Sequence, residues 1–369
     1  MKRTMSRFER QTILPGFGQE GQQKLSRAKI LVVGAGGLGC PALLYLAAAG
    51  VGNIGIVDGD KVSLSNLNRQ VLYGEGDVGK SKAQVAGEYI KRKYSDIRID
   101  IIPQFLTAEN GLDIIREYDL VLDGSDNFGT RYLVNDACFL LKKPLVFGAI
   151  YQHEGQVAIL NVTGEDTEPL TYRDLFPHPP SGAEVPNCAE TGVLGVLPGI
   201  IGTMQATEAI KYLSGFGKAL VHKVLFYNLR DHSTYQMDIM PNPEGRKLIP
   251  IDTEAFGKMD YEIICGPGDH VSWDEVNEVF STDPSHSALI DVREIHEEPK
   301  MDHYPCMAIP LSTFVKQPDR LPEAQNIYIF CQSGIRSLQA VKVLKKSRPD
   351  KNIYSIEGGI KSLLNTKDK

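Results

Sequence analysis

The stretch KILVVGAGGLGC, Lys29 to Cys40, constrains this chain more than any other. An apolar run enters Gly34-x-Gly36-x-x-Gly39, with Gly37 inside it, which is the pattern of a strand turning sharply into a helix. Glycines there leave no Cβ in the way of a phosphate, and the following helix points its first amides at the anion. The loop therefore implies a nucleotide more strongly than it says which one. A nicotinamide or flavin is the usual assignment, and a merely tight strand–helix turn is the bland one.

Two later stretches bear on the choice. Asp58, in GIVDGD, closes the next apolar run at the position that hydrogen-bonds ribose hydroxyls, but NAD and ATP both carry that ribose. DKVSLSNLNRQVLYGEGDVGKSKA then gathers Asn66, Arg69, Lys80 and Lys82 just beyond it. A hydride enzyme has no use for those groups, whereas a triphosphate enzyme needs cations to offset charge on a transferring phosphoryl group. Taken singly, each could be a solvated surface side chain.

The same residues carry a resemblance. VGAGGLGCPALLYLAAAGVGNIGIVDGDKVSLSNLNRQ, followed in order by DVGKSKA, DGSDNFGTRYLVND and CAETGVLGVLPGIIGTMQATEAIK, closely resembles the ThiF/MoeB adenylyltransferases, relatives of ubiquitin-activating enzymes. The resemblance implies ATP held by the Gly34 loop and Asp58, with Ser65, Asn66, Arg69 and Lys82 on ribose and phosphates. It places Mg2+ on Asp126 and Asn127 beside the nucleotide; without it, Asp126 reads equally as an N-cap or turn residue. Arg10, in RFERQ, matches an arginine that in this family reaches into the neighbouring subunit's site, which implies a homodimer. The implied reaction adenylates the C-terminal glycine of a ubiquitin-like sulfur carrier protein.

Cys188, in VPNCAETGVLG, stands between a proline-bearing loop and an apolar helical stretch. Helix amides favour a thiolate at such a place, although a buried inert cysteine is commoner. The resemblance implies attack on the acyl adenylate, or a covalent or persulfide link to the carrier. Many relatives hold zinc with two C-x-x-C pairs. Here Thr171 and Asp174 of LTYRDLFP stand where the first pair would, and Met237 to Leu248 has no second. Hydroxyl and carboxylate replace thiolates poorly around zinc. The expectation is no zinc, with packing stabilising the loop instead.

Apolar runs alternating with helical segments indicate βαβ units, so residues 1–240 read as a doubly wound α/β domain. Residues 241–262, rich in proline, glycine and charge, read as a linker. Residues 263–369 read as a second, smaller α/β domain. In it YIFCQSGIRS ends a strand at Cys331, turns at Gly334 and leads through Arg336 into a helix. Loop amides and a helix N-terminus converging on one sulfur favour a thiolate or persulfide, and Arg336 adds positive charge. The loop resembles that of rhodanese sulfurtransferases, as ALIDVRE and IEGGI resemble its flanking motifs, although the usual tryptophan after the two glycines is missing and Leu363 and Leu364 stand there. Phosphatase-like relatives use C-x5-R; here the spacing is C-x4-R.

Together these parts imply a carboxylate activated as an adenylate and a Cys331 persulfide that displaces AMP, leaving a thiocarboxylate, with a cysteine desulfurase or similar protein as donor. The competing readings are an NAD-dependent oxidoreductase fused to a redox module and a non-catalytic carrier-docking protein. Composition narrows the remainder. Six scattered cysteines without paired spacing do not form a disulfide framework, and a reducing cytoplasm is the simplest compartment. A net charge of -6 argues against nucleic acid or an anionic membrane surface as partner, and no long uninterrupted apolar run suggests a membrane span.

Overall fold

A computed structural model describes residues 7–163, 168–177, 192–259, 261, 270–282, 284–294, 297–301, 304–314, 321–332, 334–348, 350–356 and 358–365. They fall into two compact units, one ending at Tyr261 and the other beginning at His270.

The first unit is built on a sheet in the order β3-β2-β1-β4-β5-β6-β7-β8. Its strands are β1 (Lys29–Val33), β2 (Asn53–Val57), β3 (Arg98–Ile102), β4 (Leu120–Asp123), β5 (Leu145–Tyr151), β6 (Glu154–Leu160), β7 (Lys223–Asn228) and β8 (Thr234–Asp238). The first five pair in parallel, and Ile30 to Val33 are buried because helices cover both faces of such a sheet. The helices Gly39–Ala49 and Val196–Ser214 pack against one another on one side. Both are apolar on most of their surface, as a helix between sheet and helix must be.

Parallel βαβ units do not continue to the end of the sheet. Only Gln152 and His153 separate β5 from β6, and a parallel crossover needs a dozen residues or more, so the two strands form an antiparallel hairpin with Leu145 opposite Leu160. Gln152 takes the positive φ of 52° that the tight turn requires. β7 and β8 continue antiparallel.

The segment read as a linker is not a free tether. Ile249, Phe256 and Tyr261 are buried, and the latter two join the core cluster that contains Phe147 and Tyr172. Each buried aromatic contributes about 2 kcal/mol through apolar area removed from water. Proline, glycine and charge hid a segment in which Ile249, Phe256 and Tyr261 face inward while Leu248 and Ile251 stay exposed.

The second unit has a parallel sheet in the order β11-β10-β12-β13-β9, from β9 (His270–Val271), β10 (Ser287–Asp291), β11 (Cys306–Ala308), β12 (Asn326–Phe330) and β13 (Asn352–Ile356). The helix Ile335–Ser347 covers its centre, with Ala340, Val341 and Leu344 in the core. The chain's single tryptophan, Trp273, is buried and donates from Nε1 to the Gly359 carbonyl at 2.7 Å. A tryptophan distant in sequence thus packs at the paired glycines, together with Ile360 and Leu363. Among the described residues, no helix is long and apolar enough to cross a membrane.

Candidate active site

β1 lies between β2 and β4, and the chain leaves β2 and β4 toward opposite flanks of the sheet. This is the switch point at which α/β sheets open a crevice beyond their strand ends. Gly34 donates to the Val57 carbonyl at 2.8 Å, and Gly124 donates to that of Val33 at 2.7 Å. Gly34 has φ +85°, and a Cβ there would stand 2.9 Å from the Gly124 oxygen. A Cβ on Gly39 would lie 1.9 Å from the Gly34 oxygen, so the close approach requires glycine. Gly36 faces only Gln70 Nε2, and Gly37 lies beside Pro198 and the Arg69 side chain. Among the described residues the Gly36 and Gly37 N–H groups have no hydrogen-bond acceptor, which leaves donors open to an anionic ligand.

Beneath the loop runs a closed polar circuit. Asp58 accepts from Ala35 N–H at 2.7 Å and from Asp60 N–H at 2.8 Å, so its two oxygens first shape the loop. Each oxygen keeps a second lone pair for a ribose hydroxyl. Burial raises the Asp58 carboxyl, opposed by the Ala35 N–H and by Lys82. Lys82, itself buried, donates to Asp60 at 2.9 Å. Tyr73 closes the circuit, its hydroxyl donating to the Ala35 carbonyl at 2.7 Å and lying 3.3 Å from that of Lys82. Nothing in the spacing pointed to Asp60 or Tyr73. Their roles depend on which backbone oxygen or lysine the fold brings near.

Arg69 donates to the Ser65 carbonyl at 3.2 Å and to Asn68 Oδ1 at 3.1 Å, while the Asn66 carbonyl holds the N–H groups of Arg69 and Gln70. Ser65 is exposed. On the other wall, Asp126 is exposed at the tip of the β4 loop, and its neighbour provides the helix cap: Asn127 Oδ1 accepts from Thr130 N–H at 2.8 Å. Asn127 therefore has its amide nitrogen free for a nucleotide, and its oxygen committed. Asp123, fully buried, accepts from the Ser125 hydroxyl at 2.6 Å and faces Arg131. Burial pushes its carboxyl upward against Arg131.

Arg10 does not join these groups within its own chain. It is exposed on the short helix Glu9–Thr12, whose Gln11 donates to the Ala49 carbonyl at 3.1 Å. Ala49 ends the helix whose first residue, Gly39, belongs to the loop, and 11 residues of helix span about 16 Å. Cys188 lies outside the described residues.

Thr171 and Asp174 have a different use from metal binding. They form a capping box on the helix Tyr172–Leu175, with Thr171 N–H donating to Asp174 at 2.8 Å and Arg173 N–H to the Thr171 hydroxyl at 3.0 Å. Asp174 also accepts from Asn242 N–H at 2.6 Å and from Arg246 Nε at 2.9 Å. Arg246 reaches the Glu168 carboxylate and the Pro169 carbonyl as well. The adjacent Arg173 forms a buried bidentate pair with Asp136, which Tyr261 joins at 2.9 Å. Ion pairs and hydrogen bonds tie residues 168–175 to 242–246, beside the core packing of Leu170 and Tyr172; the loop for which packing was expected lies outside the described residues. Arg246→Met should destabilise this junction by about 2 kcal/mol, since a buried Asp174 carboxylate loses its partner while Arg246 itself is partly solvated. Thermal unfolding would measure it. A melting temperature equal to that of the parent protein would refute the clasp.

In the second unit, Cys331 follows β12 and is buried. Its sulfur accepts from Gly334 N–H at 3.1 Å, and Gly334 has φ +94° at the start of the helix Ile335–Ser347. Ile360 N–H donates to the Cys331 carbonyl at 2.9 Å, and Gly334 lies against Gly358, so the paired glycines brace the loop. Arg336 reaches toward the sulfur and pairs with Glu297, Nη2 to Oε2 at 2.6 Å. That pairing holds the Glu297 carboxyl down at about 2. Arg293 is buried, bound to Asp291 at 2.7 Å and to Gln332 at 3.3 Å.

The ThiF family model matches residues 8–247, which contain the whole glycine-loop site. The chain belongs to the ThiF family. Among relatives of this ThiF-family chain, the sulfur carrier protein adenylyltransferase of Thermus thermophilus is 50% identical over 266 residues, 72% of this chain and 98% of that protein. The probable adenylyltransferase/sulfurtransferase MoeZ of Mycobacterium tuberculosis is 39% identical over 368 residues, 96% of this chain and 92% of its own, so the alignment spans both units. The adenylyltransferase and sulfurtransferase MOCS3 of Culex quinquefasciatus is 37% identical over 392 residues, covering 99% and 88%. Among solved structures, E. coli MccB with ATP has a TM-score of 0.53 at 22% identity over 61% of this chain and 67% of that one, a likeness of fold.

Proposed function

We propose that the chain adenylates the C-terminal glycine of a ubiquitin-like sulfur carrier protein with ATP and then supplies sulfur to it from Cys331. The observation that carries this is the pairing, in one chain, of two built sites. The first has open loop amides at a switch point, with Arg69, Lys82 and Asp126 around them. The second has a buried cysteine whose sulfur accepts a loop amide at a helix start.

In the first unit the Gly36 and Gly37 amides would take phosphate oxygens, and Asp58, Ser65 and Asn66 the ribose side. Lys82 exchanges Asp60 for phosphate, while Arg69 faces the same charge from across the loop. The exposed Asp126 carboxylate fits Mg2+, which when bound neutralises charge on the phosphates. A carboxylate oxygen of the carrier attacks the α-phosphorus, the bond to pyrophosphate breaks, and the acid becomes a mixed anhydride with AMP. The outer sulfur of a Cys331 persulfide then attacks the acyl carbon and AMP leaves. A thiol, for which Cys188 is our candidate, attacks the Cys331 sulfur and frees the thiocarboxylate, leaving a disulfide for a reductant to open.

The position of Arg10, beside the end of the helix Gly39–Ala49 that lies away from the loop, supports its acting in the neighbouring protomer of a homodimer. We infer a cytoplasmic protein loaded by a cysteine desulfurase or another persulfide donor, and lacking zinc; stoichiometric zinc in a metal assay would overturn that last point. The deciding experiment is ATP–pyrophosphate exchange with each candidate carrier of the source organism, followed by mass measurement of the carrier. Exchange with one carrier and its conversion to a thiocarboxylate is the expected outcome. Absence of exchange with every carrier would sink the proposal.

A further inference from the structure

Two serines that no step above uses stand behind Cys331. Ser337, on the first turn of the helix Ile335–Ser347, and Ser355, on β13, are both fully buried. Ser337 Oγ lies 3.7 Å from Cys331 Sγ and 2.9 Å from the Gly334 carbonyl oxygen. Ser355 Oγ lies 2.9 Å from Ser337 Oγ and 3.3 Å from the same carbonyl.

A hydroxyl has one proton to give, so a lone Ser337 would have to choose between the sulfur and the Gly334 carbonyl. A back-bond to a carbonyl three residues earlier is the common choice of a serine in a first helical turn, and at 2.9 Å it would win. That carbonyl already takes the helical hydrogen bond from Leu338 N–H at 3.2 Å, and a hydroxyl on its second lone pair adds to it. Ser355 removes the conflict, because it can donate to Gly334 O in place of Ser337, or to Ser337 itself. With an uncharged sulfur, Ser337 donates to Gly334 and Ser355 to Ser337. With an anionic sulfur, Ser337 turns to Cys331 and Ser355 takes over the carbonyl. Both arrangements keep a hydroxyl on the second lone pair of Gly334 O, beside Leu338 N–H.

We propose that Ser337 and Ser355 form a two-hydroxyl switch that lends a second hydrogen bond to Cys331 Sγ, beside that of Gly334 N–H, whenever the sulfur carries negative charge. They are positioning residues for the sulfur transfer proposed above, on which this inference rests. The distinguishing consequence concerns Ser355, which does not touch the sulfur. Its loss locks Ser337 onto Gly334 and should weaken the thiolate as much as the loss of Ser337 does.

The test follows iodoacetamide alkylation of Cys331 in the full-length protein by mass spectrometry of the peptide that contains it, as a function of pH. It needs no sulfur donor, so its failure is separate from failure of the sulfurtransferase reading. A hydrogen bond to a charged group is worth enough that Ser337→Ala and Ser355→Ala should each slow alkylation at neutral pH roughly fivefold to tenfold. Their pH profiles should move to higher pH, and their limiting rates in alkali should match the parent's. Ser355→Thr, which keeps the hydroxyl, should retain the parental profile. Emission of Trp273, the single tryptophan, checks that the second unit stays folded. A folded Ser355→Ala with an unchanged profile would overturn the switch, and so would a folded Ser355→Thr that behaves like the alanine variant.

Discussion

Arg69→Ala is expected to lower ATP–pyrophosphate exchange by a factor on the order of a hundred to a thousand, the usual cost of removing one preorganised charge partner from a developing transition-state charge. Its side chain passes the Gly37 face of the loop, and among the described residues its guanidinium is held only by a backbone carbonyl and Asn68. The turn that carries it is held through its backbone, by the Asn66 carbonyl, so truncating the side chain should leave the fold intact. Lys82→Ala would be a poorer test, because it would leave Asp58 and Asp60 without their common cation. The arginine variant should retain thiosulfate–cyanide sulfur transfer at the parental rate. Exchange within about threefold of the parent would remove Arg69 from the chemistry.

Cys331→Ala should do the reverse. Sulfur transfer from thiosulfate to cyanide should fall at least about a thousandfold, since the atom that breaks the donor's bond is gone. Exchange should persist. The substitution removes one buried sulfur from a loop whose shape rests on Gly334, Ile360 N–H and Gly358, and none of these contacts with the backbone needs the thiol except that of Gly334 N–H. If both substitutions impair both activities equally, the division of labour between the two units is wrong.

How much of this was legible in advance differs element by element. The apolar runs read as strands in the first unit became β1 to β6, because a strand covered on both faces needs a continuous apolar stretch. β7 and β8 were not read as strands; in β8 every residue is exposed and no apolar pattern marks it. The hairpin between β5 and β6 was within reach, for two residues cannot carry a parallel crossover. The packed segment from Pro243 onward, the Asn127 cap and the aromatic support of the paired glycines from Trp273 were not.

Sequence alone determined the features that depend on neighbours in the chain. Gly34 through its positive φ, and Gly39 through its approach to the Gly34 oxygen, are compelled by the strand–turn–helix itself, and Cys331, Gly334 and Arg336 sit on one short loop into a helix, so their spacing announced them. Family motifs added which cations accompany the loop. Only the tertiary structure decided which polar groups stand opposite one another. Lys82 meets Asp60, Asp174 meets Arg246, Trp273 meets Gly359, and Ser355 stands behind Ser337. Hydrogen bonds and ion pairs act over a few ångströms of space, and chain separations of tens of residues obey no period that could foretell them.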